Sequence, residues 1–196
     1  MGKNNDIPVE IHPLEPFLPY DAGLLMLGSF PPQRKRWSMR FYYPNLNNDM
    51  WRIMGIIFFD DREHFLHESG KAFCRDAIVQ FLKEKRIALY DTATVIRRLN
   101  DNASDKFLDI VQSTDIKSLL DKIPECTNIA VTGQKATDIL IRQLGISEPK
   151  IGEYIVFSYK DRAVHLWRMP SSSRAYPLKI ERKAEIYRKM FDACRL

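Results

Sequence analysis

Short apolar stretches alternate with stretches of helical spacing along most of this chain. Residues 24–28, 87–91 and 128–132 are short and largely apolar, which is typical of strands buried on both faces of a sheet. Two further β-rich stretches, 153–159 and 162–167, are separated by only two residues. They predict a hairpin that supplies the last strand of the sheet.

The segments between these strands carry apolar residues at helical spacing. We predict helices over residues 50–59, 75–86, 115–123, 133–144 and 178–194. This alternation predicts an α/β fold in which a mainly parallel sheet lies between two helical layers. At 196 residues and 45% hydrophobic composition, the chain can bury one substantial core, so we expect a single domain over residues 23–196.

Residues 1–22 contain four prolines and predict an irregular surface arm rather than a regular element.

Polar and aromatic residues follow directly after the first predicted strand. The strand ends at Gly28-Ser29, and a loop with several aromatic residues and three asparagines leads into the helix that begins near Trp51. Ligands of α/β proteins bind at the carboxyl ends of the strands, so this loop is the first place to look for a site. One of Asn47, Asn48 and Asp49 is expected to cap the helix.

The charge of this loop indicates what kind of ligand it could bind. The formal net charge is +5, and four basic residues with no acidic residue lie between Pro31 and Asn47. Charge clusters of this kind are often only solvated surface. Here aromatic residues are interleaved with the basic ones. This pattern favours binding of nucleic acid, whose phosphates are negatively charged and whose bases stack on aromatic rings.

The cysteines and the N-terminal sequence indicate which class of protein this is. Cys74, Cys126 and Cys194 are widely spaced, which suggests neither a disulfide framework nor a metal site. No secretory leader pattern and no apolar stretch long enough to span a bilayer is visible in the sequence. We therefore expect a cytoplasmic protein with no membrane association and no obligate protein partner.

Five sequence blocks, in order, resemble the uracil-DNA glycosylase superfamily, and within it the hypoxanthine-DNA glycosylase branch. Each block is weak alone, and the order and spacing carry the resemblance. The blocks are Leu27-Gly28-Ser29-Phe30-Pro31, the segment from Tyr42-Tyr43 through Asn48 to Trp51-Arg52-Ile53-Met54, Ile87-Ala88-Leu89-Tyr90-Asp91, Ala130-Val131-Thr132-Gly133-Gln134-Lys135-Ala136, and Met169-Pro170-Ser171-Ser172-Ser173.

The resemblance implies a three-layer αβα sandwich with a four-stranded parallel sheet and an active site at the strand carboxyl ends. It implies a DNA glycosylase of base excision repair, a hydrolase whose partner is DNA containing deaminated bases. Such an enzyme flips uracil or hypoxanthine out of the helix and hydrolyses its N-glycosidic bond. It would need no metal and no organic cofactor.

Two residues are candidates for the chemistry. Asn48 matches the essential asparagine of the hypoxanthine branch by its distance from Trp51, and it could bind the base or position water. It could also simply cap the helix. Asp91 could orient water or favour the sugar cation, or it could cap the turn that begins at Thr92.

The remaining candidates divide between the base and the DNA backbone. The turn at Gly28, Ser29 and Phe30 would offer backbone N–H groups to the base as negative charge develops on it. Tyr43 is the first candidate for stacking on the base and Phe30 the second, although either ring could be core. Asn48, Tyr43 and Ser171 should then line one cleft.

The resemblance assigns DNA contacts to the loop at 170–176 and to basic residues nearby. Serine hydroxyls would hydrogen-bond to DNA phosphates, and the side chain of Arg174 or Tyr176 would insert between stacked bases. The candidate DNA-binding residues are Ser171, Ser172, Ser173, Arg174, Tyr176, Lys179 and Arg36.

Two positions depart from the family pattern. Pro32 stands where the family turn usually has glycine, which removes one N–H donor. Met169 stands where several relatives have a histidine, and each of His12, His64 and His67 is expected to be structural or on the surface. His165 could face the pocket. These departures leave open a nucleic-acid binding module that has lost the chemistry. A separate alternative is an enzyme acting on a small nucleotide, in which the basic loops hold one phosphate rather than a strand.

Overall fold

The computed structural model describes residues 7–99 and 105–196, so the first six residues of the predicted arm lie outside it. The strands are β1 Val9–Ile11, β2 Leu24–Gly28, β3 Ile87–Asp91, β4 Ala93–Arg98, β5 Leu108–Ser113, β6 Asn128–Thr132, β7 Tyr154–Tyr159 and β8 Arg162–Met169. The helices are α1 Met50–Phe59, α2 Arg75–Glu84, α3 Ile116–Lys122, α4 Gln134–Leu144 and α5 Ile180–Ala193.

All five predicted helices are present, and their ends lie within two residues of the predicted ones. Capping explains one of these differences. Asp115 is the residue before α3, and its carboxylate accepts a hydrogen bond from the backbone N–H of Ser118. An aspartate in this role precedes the helix rather than belonging to it.

The main sheet has five strands in the order β3-β2-β6-β8-β7. The first four are parallel, and β7 pairs antiparallel with β8 at the edge. The expectation of four strands is therefore wrong by one, because both arms of the predicted hairpin join the sheet. Side chains of β7 alternate between more and less exposed positions, which is typical of an edge strand.

A second, smaller sheet was not predicted. It has the order β1-β4-β5 and is wholly antiparallel. Its first strand belongs to the N-terminal arm, so the expectation of an arm without regular structure is wrong at residues 9–11. This strand pairs with β4, and the paired residues lie between 84 positions apart, for Ile11 with Val95, and 88 positions apart, for Val9 with Arg97. Sequence pattern gives no signal for pairing over such a distance.

The core lies on both faces of the main sheet. All five residues of β2 and of β3 are buried, so helices must cover the sheet on both sides. Aromatic contacts join three of the helices: the ring of Phe58 lies 5.0 Å from Phe81 and 5.1 Å from Phe191. Among the described residues, no helix is both long and apolar enough to cross a membrane.

Candidate active site

A cleft of about 890 Å³ opens where the parallel strands of the main sheet end. Gly28 ends β2, Asp91 ends β3 and Thr132 ends β6, and all three line the cleft. Asn48, Tyr43 and Ser171 also line it, so the predicted convergence of these residues on one cleft is confirmed. The carboxyl end of a parallel sheet is the expected place for a ligand site.

The side chain of Asn48 takes part in the turn that starts helix α1. Its Oδ1 accepts a hydrogen bond from the backbone N–H of Met50 at 2.9 Å. Within the described part of the chain, the NH₂ group has no hydrogen-bond acceptor. The capping and ligand-binding interpretations of Asn48 are therefore compatible: one end of the amide fixes the turn, and the other end remains to donate.

Backbone hydrogen bonds join the Asn48 segment to the serine loop. Asn48 and Ser173 form an isolated antiparallel bridge. The N–H of Asp49 donates to the carbonyl of Ser172 at 2.8 Å, and the N–H of Arg174 donates to the carbonyl of Asn47 at 3.1 Å. Two sequence blocks more than 120 residues apart are thus fixed to each other at the cleft.

A buried ion pair stabilises this junction. Lys183, on helix α5, is only 1% exposed, and its Nζ lies 3.3 Å from Asp49 Oδ2 and 2.8 Å from the carbonyl of Ser173. Arg174 also contacts Asp49, with Nε 3.3 Å from Oδ1. A buried lysine must be paired and hydrogen-bonded, and both partners here belong to the cleft-lining loops.

The turn after β2 is held close to its surroundings. A methyl group at Gly28 would overlap Asp91 Oδ1, so a larger residue there would force the Asp91 carboxylate to move. The Ser29 hydroxyl donates to Asp105 Oδ2 at 2.6 Å. Phe30 and Pro32 both line the cleft, and the carbonyl of Pro32 accepts a hydrogen bond from Trp37 Nε1 at 2.6 Å. The turn is therefore fixed even though Pro32 has no N–H to offer.

The two aromatic candidates differ in how far they belong to the core. Phe30 is 7% exposed and packs in a small cluster with residues of the second sheet. Tyr43 has a positive φ of 47°, an uncommon conformation for a bulky residue, and its hydroxyl lies 3.3 Å from Thr132 Oγ1. Burial raises the pKa of the Tyr43 hydroxyl well above its usual range, so it remains a neutral donor.

Asp91 makes a contact that the sequence did not suggest. Its Oδ2 lies 2.9 Å from His12 Nε2, and the two side chains are 9% and 2% exposed. The carboxylate of Asp91 therefore pairs with the N-terminal arm rather than capping the turn at Thr92. His12, expected to be structural or on the surface, is buried behind a cleft residue.

Asp105 is a second carboxylate of the cleft that the sequence analysis missed. Burial raises the pKa of this carboxyl, and the nearby Asp91 charge raises it further, while the Ser29 hydrogen bond, Lys135 and Arg98 lower it. It lies in a short 3₁₀ turn, Asp105–Phe107, directly before β5. No motif marks this position, because only the folding of the second sheet brings it to the cleft.

The proposed DNA contacts divide into two groups. Ser171, Ser172, Ser173, Tyr176 and Arg36 line the cleft. Arg174 and Lys179 do not, and the guanidinium of Arg174 is bonded to Asp49 and to the carbonyl of Leu46.

Met169 and His165 supply nothing to the cleft. Met169 is 1% exposed and lies in the core, so this position offers no polar group to a ligand. His165 is paired in register with Asn128, at the opposite end of the strands from the cleft. Its Nδ1 lies near the carbonyl of Thr127, so the option that His165 faces the pocket is wrong.

Comparisons with known proteins agree with the motifs. The chain is 27% identical over 127 residues to a hypoxanthine DNA glycosylase of Methanosarcina acetivorans, which covers 64% of this chain and 73% of that protein. The solution NMR structure of a proposed uracil DNA glycosylase from the same organism superposes with a TM-score of 0.61, at 22% identity, over 92% of this chain and 98% of that one. No protein-family model matches the chain.

The resemblance to the uracil-DNA glycosylase superfamily, and to its hypoxanthine-DNA glycosylase branch, is confirmed by these comparisons. The α/β fold of that superfamily is confirmed as well, with five sheet strands in place of four.

Proposed function

We propose that this chain, a relative of the hypoxanthine-DNA glycosylases, is a DNA glycosylase that flips uracil or hypoxanthine out of DNA and hydrolyses its N-glycosidic bond. The observation that carries the proposal is the junction of the Asn48 segment with the serine loop at the end of the sheet. It brings an amide donor, an aromatic ring and serine hydroxyls to one cleft.

The chemistry needs stabilisation of charge more than covalent help. As the glycosidic bond breaks, the sugar becomes cationic and the base leaves with negative charge. The NH₂ of Asn48 would donate to the departing base, and the turn at Ser29 and Phe30 would offer backbone N–H groups to its carbonyl. Tyr43 would stack on the face of the base.

Asp91 would act on the sugar or on the attacking water rather than on the departing base. Its carboxylate ends β3 at the cleft, where it would favour the sugar cation or orient the attacking water. Burial raises the pKa of the neighbouring Asp105, so this carboxyl holds its proton more readily than an exposed aspartate does.

The rim of the cleft suits a nucleic acid strand. Arg36 is exposed beside the turn, and Ser171, Ser173 and Tyr176 stand on the opposite loop. Gly133 precedes helix α4 and also lines the cleft, so the positive end of that helix faces the same space. These groups would bind phosphates and help to cover the cost of unstacking one base, about a few kcal/mol.

The proposal is tested by incubating the protein with labelled oligonucleotides that carry uracil, hypoxanthine or xanthine. Each lesion is presented in single strands and opposite each normal base, with Asn48→Ala beside the wild type. We expect abasic sites for at least one lesion and their loss in the variant. Oligonucleotides that stay intact with every lesion after long incubation would contradict the proposal.

A second candidate function is a nucleic-acid binding module without chemistry. It is favoured by Pro32, which offers no N–H in the turn, and by Met169, which lies in the core rather than at the cleft. This alternative predicts salt-dependent binding of oligonucleotides and no base release. Tight binding of a mononucleotide without affinity for oligonucleotides would instead indicate an enzyme of small nucleotides.

A further inference from the structure

We propose that His12 is a positioning residue that holds Asp91 in its working orientation, so that the N-terminal arm completes the active site. This inference rests on the proposed function. It concerns a residue that lies 79 positions from Asp91 in the sequence. His12 does not line the cleft itself, so it would act through Asp91 and not on the substrate.

The geometry of His12 leaves its ring little freedom. Its Nε2 lies 2.9 Å from Asp91 Oδ2, and a carboxylate there accepts, which assigns the hydrogen to Nε2. Its Nδ1 lies 2.8 Å from the carbonyl oxygen of Leu14 and 3.2 Å from the backbone nitrogen of the same residue. Three aromatic rings surround the imidazole: Tyr90 at 4.7 Å, Phe30 at 5.2 Å and Tyr42 at 6.3 Å between ring centroids. The orientation of the imidazole ring and its position in the protein are thus both fixed.

Asp91 has an equally restricted carboxylate. Its Oδ2 is engaged by His12, while its Oδ1 lies against Gly28, close to where the hydroxyl of Tyr43 also stands. A carboxylate held by one oxygen presents the other in a fixed direction. Gly28, Tyr43 and Asp91 all line the cleft, so the oxygen that His12 leaves unengaged is held at the wall of the cleft.

The arm that carries His12 is attached at several independent points. The N–H of His12 donates to the carbonyl of Thr94, and Phe17 exchanges two backbone hydrogen bonds with Leu89. Glu10 accepts two hydrogen bonds from the guanidinium of Arg98, each at 3.0 Å. These contacts hold the arm, and His12 with it, against the wall of the cleft that carries Asp91.

The experiment compares three substitutions in the full-length chain: His12→Gln, His12→Asn and His12→Ala. The amide of glutamine reaches the position of Nε2 and can still donate to Asp91, whereas the amide of asparagine reaches only the position of Nδ1. Single-turnover base release and binding of an uncleavable oligonucleotide are measured for each. His67→Gln, at an exposed position, is the matched control.

We expect His12→Gln to stay within about 3-fold of the wild-type rate, and His12→Asn and His12→Ala to lose about 100-fold, because a displaced catalytic group costs about that much. DNA affinity should not change in any of them. A purely structural role predicts similar losses for the glutamine and asparagine variants, in step with their thermal stability. That result, or full activity of all three, would overturn the proposal.

A second measurement does not depend on enzyme activity. The Nε2–H proton of His12 should give a slowly exchanging NMR signal that is present in the wild type and lost in Asp91→Ala. A wild-type protein without this signal would contradict the proposal. If the signal is present but no lesion releases a base, the proposed function fails while the contact between His12 and Asp91 stands.

Discussion

The two walls of the cleft are built in different ways. One wall, which carries Asn48 and the serine loop, is held by backbone hydrogen bonds between two continuous segments. The other wall, which carries Asp91 and Asp105, is held by side-chain contacts to His12 and Ser29. Both walls join parts of the chain that are distant in sequence, but the first is joined through backbone groups and the second through side chains. Substitutions should therefore act differently on the two walls.

The largest effect is expected on the first wall. Asn48→Asp keeps the oxygen that accepts from the N–H of Met50 but removes the NH₂ donor, whereas Asn48→Ala removes both. Base release should fall by about 100- to 1,000-fold in both variants, since a donor to the leaving group is lost. Thermal unfolding should show a lower stability for the alanine variant alone. Activity retained in Asn48→Asp would mean that Asn48 acts only as a cap.

On the second wall, Gly28→Ala should displace Asp91 without removing it. The added methyl would overlap Asp91 Oδ1. We expect single-turnover base release to fall by about 10- to 100-fold, because the carboxylate would move away from its working position. Gly23→Ala, just before the other end of the same strand, is the matched control, since a methyl there meets Arg86 at an ordinary 3.8 Å. Equal activity of the two variants would contradict the importance of the Asp91 position.

The ion pair behind the first wall can be broken from helix α5. Lys183→Met leaves Asp49 with Arg174 as its remaining cationic partner. We expect the free energy of unfolding to fall by about 3 kcal/mol, because a buried carboxylate loses its buried partner. Denaturant unfolding measures this loss, with Lys189→Met on the exposed face of the same helix as control. A loss no larger than that of the control would show that the pair does not hold the junction.

The smallest expected effect concerns pH and the second wall. The pKa of Asp105 is raised, first by burial, so the folded state holds this proton to higher pH than the unfolded state does. Its stabilising contribution is present at low pH and is lost as pH rises through the folded-state pKa. Asp105→Asn should therefore be more stable than the wild type at neutral and alkaline pH, and the difference should shrink as the medium becomes acidic.

Thermal unfolding across pH measures this dependence, and Asp192→Asn on the exposed surface of α5 is the control. A stability difference that is constant with pH would mean that the pKa of Asp105 is not raised. Any gain should be accompanied by an altered pH profile of base release if Asp105 takes part in the reaction.

The two walls of the cleft also differ in how much of them could be predicted from the sequence. Strands β2, β3 and β6 begin and end at the predicted residues, because continuous apolar stretches between polar ends are local signals. Asn48, Tyr43 and Ser171 could be assigned to one cleft because each lies in a contiguous motif next to a strand end. The second sheet could not be predicted, since its strands pair residues such as Val9 and Arg97 without a local pattern.

The same reason explains the missed site residues. His12 lies in a proline-rich arm with no regular spacing, and its role appears only where it meets Asp91. Asp105 became visible as a site residue only through its bond to Ser29, 76 positions away. Conversely, Arg174 has the charge expected of a DNA contact, but the structure directs its guanidinium toward Asp49.

The central claim is that this cleft receives a base flipped out of DNA. A structure of the protein bound to an oligonucleotide with one 2′-fluorinated deoxyinosine, whose glycosidic bond resists hydrolysis, tests it most directly. We predict that the hypoxanthine lies within the cleft, against the ring of Tyr43 and within hydrogen-bond distance of the Asn48 amide. A base that stays stacked in the DNA, or that binds outside the cleft, would contradict the account.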